Sequence, residues 1–319
     1  MSIDDRKTAW AVLSRAARGP SAPLRRLVAA EGVEAAAEAV LAGDVPVAVD
    51  RHVLERADLS SARRGLEIAE RIGARLATPD DDEWPTASFA AFPVVTSPAL
   101  GAEPVAPLAL WVRGTPSLRS VVERAIAVVG ARACSEYGEG VAHDFAVDAV
   151  RTGWTVVSGA AFGIDAAAMR SALAAGGVVA AVLPGGIDRP YPAQLSPLLA
   201  DLVAAGGLLV SEIPPGYAAI RGDFLARNRL IAALSRSVIA VEAGVRSGTR
   251  NTVRWAKLLG RQAYAVPGPV YSPNSVGCHA MIRHGDARLA TCLGEVINTA
   301  LADCGDPPTA ATSVEEARR

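Results

Sequence analysis

The chain has 319 residues, half of them hydrophobic and a fifth charged, and its formal net charge is −1. This is the composition of an ordinary globular protein, and the length suits one large domain with a smaller one. No uninterrupted apolar stretch reaches the roughly 18 residues that a membrane helix needs. The start "MSIDDRKTAW" has no basic segment followed by an apolar one, so we expect no signal peptide, no membrane contact and a cytoplasmic protein.

The N-terminal part of the chain predicts a small helical module over residues 1–72. The segments "RKTAWAVLSRAA" and "PLRRLVAAEG" place apolar residues three and four apart, and Gly73 is a predicted stop after the last helix. We expect this module to resemble a SAM domain or a helix-hairpin-helix. Beyond it, "LALWVRG" at 108–114 predicts a short strand.

From residue 125 onward, short apolar strands alternate with helices. This alternation predicts βαβ units and a doubly wound, mostly parallel sheet of the α/β class over residues 73–302. The tail at 303–319 is expected to be disordered. The predicted strands are "AIAVVG", "WTVVSG", "VVAAVLPGG", "GLLVSE", "SVIAVEAG" and "QAYAVPG". The predicted helices are 139–152, 164–175, 194–205, 224–235, 249–259, 278–284 and 292–301.

The loops that follow these strands are candidates for a ligand site, because ligands of such sheets bind beyond the carboxyl ends of the strands. Small residues let backbone N–H groups approach a ligand, and a helix N-terminus favours negative charge. In "RSGT", Ser247, Gly248 and Thr249 offer hydroxyls and amides at a helix start, although a plain helix cap is the alternative. The small-residue loops are "GAR" (130–132), "SGAAFGID" (158–165), "PGGID" (184–188), "AGVRSGTRNT" (243–252) and "VPG" (266–268).

Known cofactor motifs are missing from these loops. None is a Walker sequence, and none is G-x-G-x-x-G followed by an acid about twenty residues later. The cysteines lie far apart without zinc-ligand spacing, which indicates reduced thiols. We therefore expect neither a cofactor nor a metal. The cysteines are Cys134, Cys278, Cys292 and Cys304.

Positive charge is concentrated in residues 221–261, which contain nine basic and two acidic residues for a net +7. An acidic remainder with one basic stretch indicates a local anion site, with a solvated helix face as the alternative. Arg227 and Arg229 are predicted to open a helix at the loop edge, where Asn228 caps it or donates to a ligand. Guanidinium groups bind phosphate oxygens in a bidentate manner.

The arginines near the loops outnumber what one phosphate requires, and this predicts a polynucleotide ligand. Phe162 offers a ring on which a base can stack, with packing beneath the sheet edge as the alternative. The arginines in question are Arg132, Arg227, Arg229, Arg246 and Arg250.

Groups suited to catalysis are few, so we expect a binding protein rather than an enzyme. Asp165 and Asp188 are a candidate carboxylate pair, although Asp165 is more simply expected to pin its own loop. Glu212 and Glu242 end two strands and are candidates to accept hydrogen bonds from a base or ribose. No histidine belongs to a strand-end loop; the four are His52, His143, His279 and His284.

At these residues the chain resembles the DprA/Smf family of DNA-processing proteins. The resemblance covers roughly residues 75–300 and is carried by motifs in the family's order. These are "AIAVVGARACSEYG", "VVSGAAFGIDAAAM", "PGGIDRPYP", "FLARNRLIAALS", "EAGVRSGT" and "AVPG…GCHAMIRHG". The chain departs from residues common in the family at Ala160, Phe162, Met169 and the Ser247–Arg250 run. We expect no winged helix after residue 302.

The resemblance implies an extended Rossmann-like fold, a homodimer, and a protein that protects single-stranded DNA and loads RecA during natural transformation. Single-strand binding protein is a further implied partner. The implied DNA-binding residues are Arg132, Ser158, Gly159, Arg227, Asn228, Arg229, Ser247, Gly248 and Thr249, joined by Phe162 from the argument above. The implied dimer or RecA contact lies on the helix near 278–284 and comprises Cys278, His279, Met281 and Ile282.

Two other readings remain open from the sequence. The "PGG" loop is also found in the LOG, lysine-decarboxylase-like phosphoribohydrolases, which act on nucleoside monophosphates on a related fold. That family also has a P-G-G-x-G-T-x-x-E run, and "PGGIDRPYP" lacks its Gly-Thr and Glu. The second reading is a scaffold whose pocket has lost its function.

Overall fold

The structure is a computed structural model that describes residues 5–49, 53, 56–92 and 101–302. The N-terminal part is helical, as predicted. Three of the four helices named below begin at capping side chains, since Asp5, Ser21 and Asp58 each accept a hydrogen bond from a backbone amide of the first turn. The helices are α1 (Arg6–Ala17), α2 (Ala22–Glu31), α3 (Val33–Ala42) and α4 (Leu59–Arg71). Whether they form a SAM or helix-hairpin-helix module stays a prediction.

The rest of the described chain is built around a sheet with the order β1-β2-β6-β5-β4-β3-β7-β8-β9. All neighbours from β6 to β9 pair in parallel, whereas β2 pairs antiparallel with both β1 and β6. The strands are β1 (Ala74–Ala77), β2 (Leu110–Arg113), β3 (Ala125–Val129), β4 (Thr155–Ser158), β5 (Val179–Leu183), β6 (Leu208–Ser211), β7 (Ser237–Ala240), β8 (Gln262–Ala265) and β9 (Arg288–Leu289).

Helices cover both faces of the sheet, which makes the fold a three-layer α/β structure of the predicted class. Strands β3 to β7 are buried on both sides, because successive side chains point to opposite faces of the sheet and helices cover each face. The helices beyond β1 are α5 (Thr86–Phe89), α6 (Leu118–Glu123), α7 (Glu136–Arg151), α8 (Ile164–Ala174), α9 (Ser196–Ala204), α10 (Arg221–Ala233), α11 (Gly248–Leu258), α12 (Val276–Arg283) and α13 (Leu293–Ala302).

Two apolar cores separate these helices by face. The first joins α1 to α4 with α7, α8, α9 and α13, and it includes alternate strand residues such as Ile126 and Val128. The second joins α5, α6, α10, α11 and α12, and it includes Ala127 and Val129 of the same strand. The N-terminal helices are thus packed on the sheet: the indole N–H of Trp111 in β2 donates to Ser14 Oγ in α1, at 3.2 Å.

The structure differs from the sequence expectations at several element ends. α7 begins at Glu136 because the side chain of Ser135 accepts from the Gly138 amide. α10 begins at Arg221, where Asp223 accepts from the Ile220 amide at 2.8 Å. Strands β1 and β9 were not predicted, since each is short and β9 is exposed. The predicted tail at 303–319 lies outside the described residues.

Candidate nucleic-acid interface

A cavity of about 710 Å³ opens at the carboxyl ends of the central strands. There β3 pairs with β4 on one side and β7 on the other, so the chain order reverses at β3. Such a switch point is where doubly wound sheets bind ligands. We call this space the arginine cavity. Its lining comprises Val129, Gly130, Ala131, Arg132, Ala161, Asp165, Tyr191, Arg221, Phe224, Leu225, Arg227, Asn228, Ile231, Ser247, Gly248, Thr249 and Thr252.

Arg227 is the most deeply placed cation of the cavity. It is only 7 % exposed, and its Nε has no hydrogen-bond partner among the described residues. Burial lowers the pKa of Arg227 to about 10, while the nearby carboxylate of Asp165 opposes the shift. The guanidinium therefore remains charged at neutral pH, with a donor that no described side chain satisfies.

Asp165 holds the loop after β4 in place and, with Arg227, lines the cavity. Its Oδ2 accepts hydrogen bonds from the amides of Gly159, at 3.0 Å, and Ala161, at 3.4 Å. Burial raises the pKa of this carboxyl, and Arg227 together with those backbone amides opposes the rise. The expectation that Asp165 pins its loop is confirmed. Asp188 instead accepts from the Gly216 amide at 2.9 Å, so it is held by a different loop.

Glycine is required in the loop after β4. Gly159 leaves room for Arg227, because a Cβ there would overlap the guanidinium NH1. Gly163 has φ +73°, and a Cβ there would overlap the carbonyl oxygen of Ala131 in the loop after β3. The two loops thus approach each other closely beside the cavity.

Arg229 does not belong to the ligand surface, which corrects the sequence expectation. It is 0 % exposed, and its NH2 lies 2.6 Å from Glu212 Oε1 at the end of β6. Because α10 begins at Arg221, positions 227 and 229 lie in mid-helix and point in different directions. Arg227 faces the cavity and Arg229 faces the interior.

Asn228 ties two walls of the cavity together. Its Nδ2 donates to the carbonyl oxygen of Gly248 at 3.3 Å and to Asn251 Oδ1 at 3.2 Å. It lies in mid-helix, so the expected capping role is wrong. Asn228 instead fixes the start of α11, where Ser247, Gly248 and Thr249 line the cavity as proposed from the sequence. The Ser247 Oγ is buried and has no hydrogen-bond partner among the described residues.

The outer part of the cavity carries two exposed arginines. Arg132 lies over the ring of Phe224, with its Cζ 5.3 Å from the centroid, and Arg221 begins α10. Among the described residues, no carboxylate pairs with Arg132, Arg221 or Arg227 at the 4.0 Å limit of an ion pair.

Two further arginines and Phe162 lie at the border of the site. Arg246 is exposed, and the Arg250 NH1 donates to the Val245 carbonyl oxygen at 2.8 Å. Neither lines the arginine cavity, so the expected row of five arginines is shorter than predicted. Phe162 is 42 % exposed, which argues against its packing beneath the sheet edge.

Two strand-end residues expected to meet a ligand are committed to internal partners. Ser158 Oγ is buried and donates to the Val128 carbonyl oxygen at 2.9 Å. Glu242 is buried and accepts from Ser135 Oγ at 2.5 Å and from Asn274 Nδ2 at 3.3 Å. Neither Ser158 nor Glu242 lines the cavity, and Glu212 is occupied by Arg229 as described.

The proposed contact helix α12 also needs correction. Cys278 and Met281 are buried in the core between α12 and the sheet, so neither can meet a partner protein. Ile282 is half-buried. His279 is half-buried as well, and its Nε2 lies 3.0 Å from the Gly268 carbonyl oxygen. His52 lies outside the described residues, and His143 and His284 are on the surface, away from the cavity.

Sequence reasoning missed three residues that line the cavity: Tyr191, Arg221 and Phe224. The signal for two of them was present, since residues 221, 224, 225 and 228 repeat at helical spacing once α10 is extended to its true start. Tyr191 follows the third predicted loop by a few residues, and only the tertiary fold brings it to the cavity.

The described residues contain no cluster of three or more histidine, cysteine or acidic side chains that could hold a metal ion. Over the same residues, no helix combines the length and apolarity needed to cross a membrane.

The fold and the site together define a doubly wound α/β protein with a cationic cavity at its topological switch point. The model of the family DNA recombination-mediator protein A matches residues 75–301. The chain belongs to this family, as the DprA/Smf resemblance predicted.

Relatives with similar sequences support the assignment. A Mycobacterium tuberculosis protein that carries the name DNA processing protein DprA is 47% identical over 297 residues, covering 92% of this chain and 75% of its own. Protein Smf of Escherichia coli is 41% identical over 179 residues, covering 56% of this chain and 47% of its own.

Solved structures agree in fold. DNA processing protein A (DprA) from Streptococcus pneumoniae matches with a TM-score of 0.71 at 27% identity, over 93% of this chain and 98% of that one. DNA processing protein A from Helicobacter pylori, whose structure concerns its single-stranded DNA binding mode, matches with a TM-score of 0.58 at 27% identity, over 72% and 97%.

Proposed function

We propose that this protein binds single-stranded DNA by placing the phosphodiester backbone in the arginine cavity. The observation that carries the proposal is that two residues lining the cavity, Arg227 and Ser247, each have a buried polar atom (Nε and Oγ) without a hydrogen-bond partner among the described residues. Buried polar groups are normally hydrogen-bonded. Phosphate oxygens accept hydrogen bonds from guanidinium groups and from hydroxyls, so a phosphate ester is a ligand that suits both residues.

The extent of the cationic surface favours a polymer over a single phosphate. Arg132 and Arg221 lie at the outer lining, Arg227 at the inner lining, and the first amides of α11 close the cavity. A helix N-terminus with no acidic residue in its first turn adds partial positive charge. Successive phosphates of one strand match this row of donors.

The test is titration of a fluorescent oligo-dT with the wild type and with Arg132→Ala/Arg227→Ala at several salt concentrations. Each charged hydrogen bond lost costs about 1.5–3 kcal/mol, so we expect binding at least tenfold weaker. The slope of log K against log salt should fall by about 1.4, at about 0.7 for each single-strand phosphate released. Arg254→Ala is the matched control, because Arg254 is an exposed arginine of the same basic segment that does not line the cavity. Equal affinity of the double variant and the wild type would refute the proposal.

The enzymatic alternative is tested with the same samples. A phosphoribohydrolase of the LOG type would release free base from a nucleoside monophosphate. We expect no such hydrolysis, because the PGG loop lacks the Gly-Thr and Glu of that family and its Asp188 is engaged by the Gly216 amide. Base release that disappears in Arg227→Ala would favour the enzyme.

We further propose that the protein associates with itself and loads RecA onto the bound strand, as part of DNA processing in transformation. Because Cys278 and Met281 are buried, we assign the proposed contact face to exposed apolar residues beside them. Val270 and Tyr271 precede α12 and are 78 % and 99 % exposed. Val276 at the start of α12 and Leu289 in the edge strand β9 are also exposed apolar residues. We call these four residues the edge face.

Self-association and loading are measured on one variant, Val270→Ser/Tyr271→Ser. Light scattering after size-exclusion chromatography reports the oligomer, and RecA ATPase on DNA coated with single-strand binding protein reports loading. We expect a smaller oligomer and slower ATPase onset with oligo-dT affinity unchanged. Val47→Ser, which alters a fully exposed valine of the N-terminal module, is the control. An unchanged oligomer and unchanged loading would exclude the edge face.

A further inference from the structure

The N-terminal helices contact the loop that leads into α10, the helix that carries Arg227. Among the described residues, α10 supplies more of the lining of the arginine cavity than any other element. The loop of residues 212–220 joins β6 to α10 and lies against the C-terminal end of α1. Contacts at this junction therefore bear on the position of the innermost cation of the cavity.

Arg18 follows the last residue of α1 and reaches across to this loop. Its NH2 donates to the Ala218 carbonyl oxygen at 3.3 Å and lies 3.4 Å from Asp223 Oδ2. The side chains of Arg18 and Asp223 are only 12 % and 11 % exposed, so solvent screens their attraction less than at an open surface. The Cζ atoms of Arg18 and Arg15 lie 5.0 Å and 4.8 Å from the ring centroid of Tyr217. Two cations at the end of α1 thus hold one side of the loop.

Asp223 fixes the point at which α10 begins. Ile220 precedes the helix and has no polar side-chain atom, so it cannot cap the first turn. Asp223 lies three residues further on, and its Oδ2 accepts a hydrogen bond from the Ile220 amide at 2.8 Å. The same oxygen faces Arg18. One carboxylate oxygen therefore joins α1 to the start of the helix that places Arg227 in the cavity.

The backbone at position 18 adopts a conformation that disfavours a side chain. Arg18 has φ +46°, and among the described residues Ala160 is the only other non-glycine residue with a positive φ. Helices commonly end with glycine in this conformation, because a Cβ there crowds the backbone. The chain places its glycine one position later, at Gly19. The contacts of the Arg18 side chain with the loop offset this strain, and they are the reason we find for an arginine here.

A second residue of the N-terminal helices acts on the same helix. Arg25 in α2 donates to the carbonyl oxygens of Pro107, at 3.0 Å, and Ala106, at 3.4 Å. Burial lowers the pKa of Arg25, and the charge of Arg229 in α10 adds to this effect. The N-terminal helices thus act on α10 at two points, Asp223 in its first turn and Arg229 further along.

We propose that the N-terminal helices raise the affinity of the arginine cavity for DNA by fixing the start of α10, with Arg18 as the positioning residue. This rests on the function proposed above and adds a residue that acts through Asp223 rather than by touching the strand. The matched family model begins at residue 75, so the proposal gives a role to a part of the chain outside the matched range. Without the Arg18 contact, the first turn of α10 loosens and Arg227 occupies its place in the cavity for a smaller fraction of the time. A site that is formed only part of the time binds its ligand more weakly by that fraction.

The experiment compares Arg18→Gly with the wild type in the full chain. Glycine removes the side chain but suits the left-handed backbone, so lost contacts and relieved strain oppose each other in stability. Oligo-dT is titrated at several salt concentrations, thermal unfolding follows the fold, and hydrogen exchange follows the amides in the first turn of α10. Asp223→Asn is a second variant, because it keeps an acceptor for the Ile220 amide and removes the charge that faces Arg18. Arg26→Ala is the control, since it removes an exposed arginine of α2.

We expect Arg18→Gly to bind oligo-dT about fivefold more weakly, at the low end of coupling between two sites. Its unfolding midpoint should stay within about 4 °C of the wild type. The salt slope should be unchanged, because no phosphate contact is lost, and exchange at the start of α10 should be faster. Asp223→Asn should weaken binding to a similar extent. Arg18→Gly/Asp223→Asn should bind no more weakly than either single variant, since residues that act as a unit are not additive, and Arg26→Ala should bind like the wild type.

The possible failures have separate meanings. If Arg18→Gly binds oligo-dT as tightly as the wild type, or if Arg26→Ala weakens binding as much, the positioning role is overturned while the arginine cavity stands. A salt slope lower by about 0.7 in Arg18→Gly would also overturn it, because Arg18 would then contact a phosphate itself. Should Arg18→Gly prove less stable than expected, Asp223→Asn carries the comparison, and wild-type affinity in that variant overturns the proposal. If Arg132→Ala/Arg227→Ala binds oligo-dT as tightly as the wild type, the proposed function itself fails.

Discussion

The guanidinium of Arg227 lies against the backbone of Gly159, so closely that a single methyl group at position 159 would overlap its NH1. The same amide of Gly159 donates to Asp165, whose charge acts on Arg227. One glycine therefore sets the position of both the buried cation and the carboxylate beside it. This relationship explains why position 159 is a glycine.

Gly159→Ala should displace Arg227 while leaving the sheet intact. We expect oligo-dT binding about tenfold weaker, because the inner guanidinium moves from its place in the cavity lining. The measurement is fluorescence anisotropy, with circular dichroism to follow the fold. Gly140→Ala is the control: Gly140 lies on α7 with nothing within 4 Å of an added Cβ, and it should gain about 0.5–1 kcal/mol of stability with unchanged binding. Full affinity in Gly159→Ala would contradict this assignment.

Glu212→Gln should lower the free energy of unfolding by about 3 kcal/mol, because it leaves the buried Arg229 without its carboxylate. Removing both charges in Glu212→Leu/Arg229→Met should cost less than Glu212→Gln alone. Urea unfolding of the three proteins measures the difference. If the double variant proves the least stable, the attraction between Arg229 and Glu212 exceeds the cost of burying their charges. The view that Glu212 serves only to neutralise the buried Arg229 is then wrong.

Asn228→Ala should loosen the start of α11 by removing the donor to the Gly248 carbonyl oxygen. We expect a loss of about 1 kcal/mol in stability and several-fold weaker binding of oligo-dT, since Ser247 and the first amides of α11 lose their fixed position. Hydrogen exchange of the α11 amides supplies the local readout. Unchanged exchange together with weaker binding would indicate instead that Asn228 contacts the ligand directly.

Asp80 gives the docking of the N-terminal helices a dependence on pH. Hydrogen bonds from Arg6 in α1 are the main cause that holds the pKa of Asp80 below its usual value of 3.8; partial burial opposes this shift, and a hydrogen bond from Trp10 adds to it. Because the folded-state pKa is depressed, the stabilisation is present above the unfolded pKa and is lost as the pH falls through the folded pKa. Asp80→Asn should therefore be less stable than the wild type near neutral pH and should lose less stability on acidification.

Urea midpoints at pH 6 and pH 3 measure this difference. Asp82→Asn, which changes an exposed neighbour, should follow the wild type at both values. Parallel behaviour of Asp80→Asn and the wild type would mean that the contacts of Asp80 with α1 contribute nothing to folding.

The sequence predicted the architecture because strand and helix periodicities are local properties. Short apolar runs, five of the six ending in glycine, predicted strands β3 to β8, and their alternation with helices predicted the parallel sheet. The same loops were correctly placed at one edge, since parallel strands put their carboxyl ends together. Strand β1 was not predicted because its four residues form a strand only through their pairing with β2, which is distant in sequence.

The chain by itself determined the fold class, the family motifs and the concentration of arginine between residues 221 and 261. It could not decide which arginines face a ligand, since that depends on where α10 begins and how it is rotated. The tertiary structure made that decision: a helix begun at Arg221 turns Arg227 toward the cavity and Arg229 toward Glu212. It also brought Tyr191 beside Phe224 across the cavity rim, because contacts between residues distant in sequence arise only when the sheet assembles.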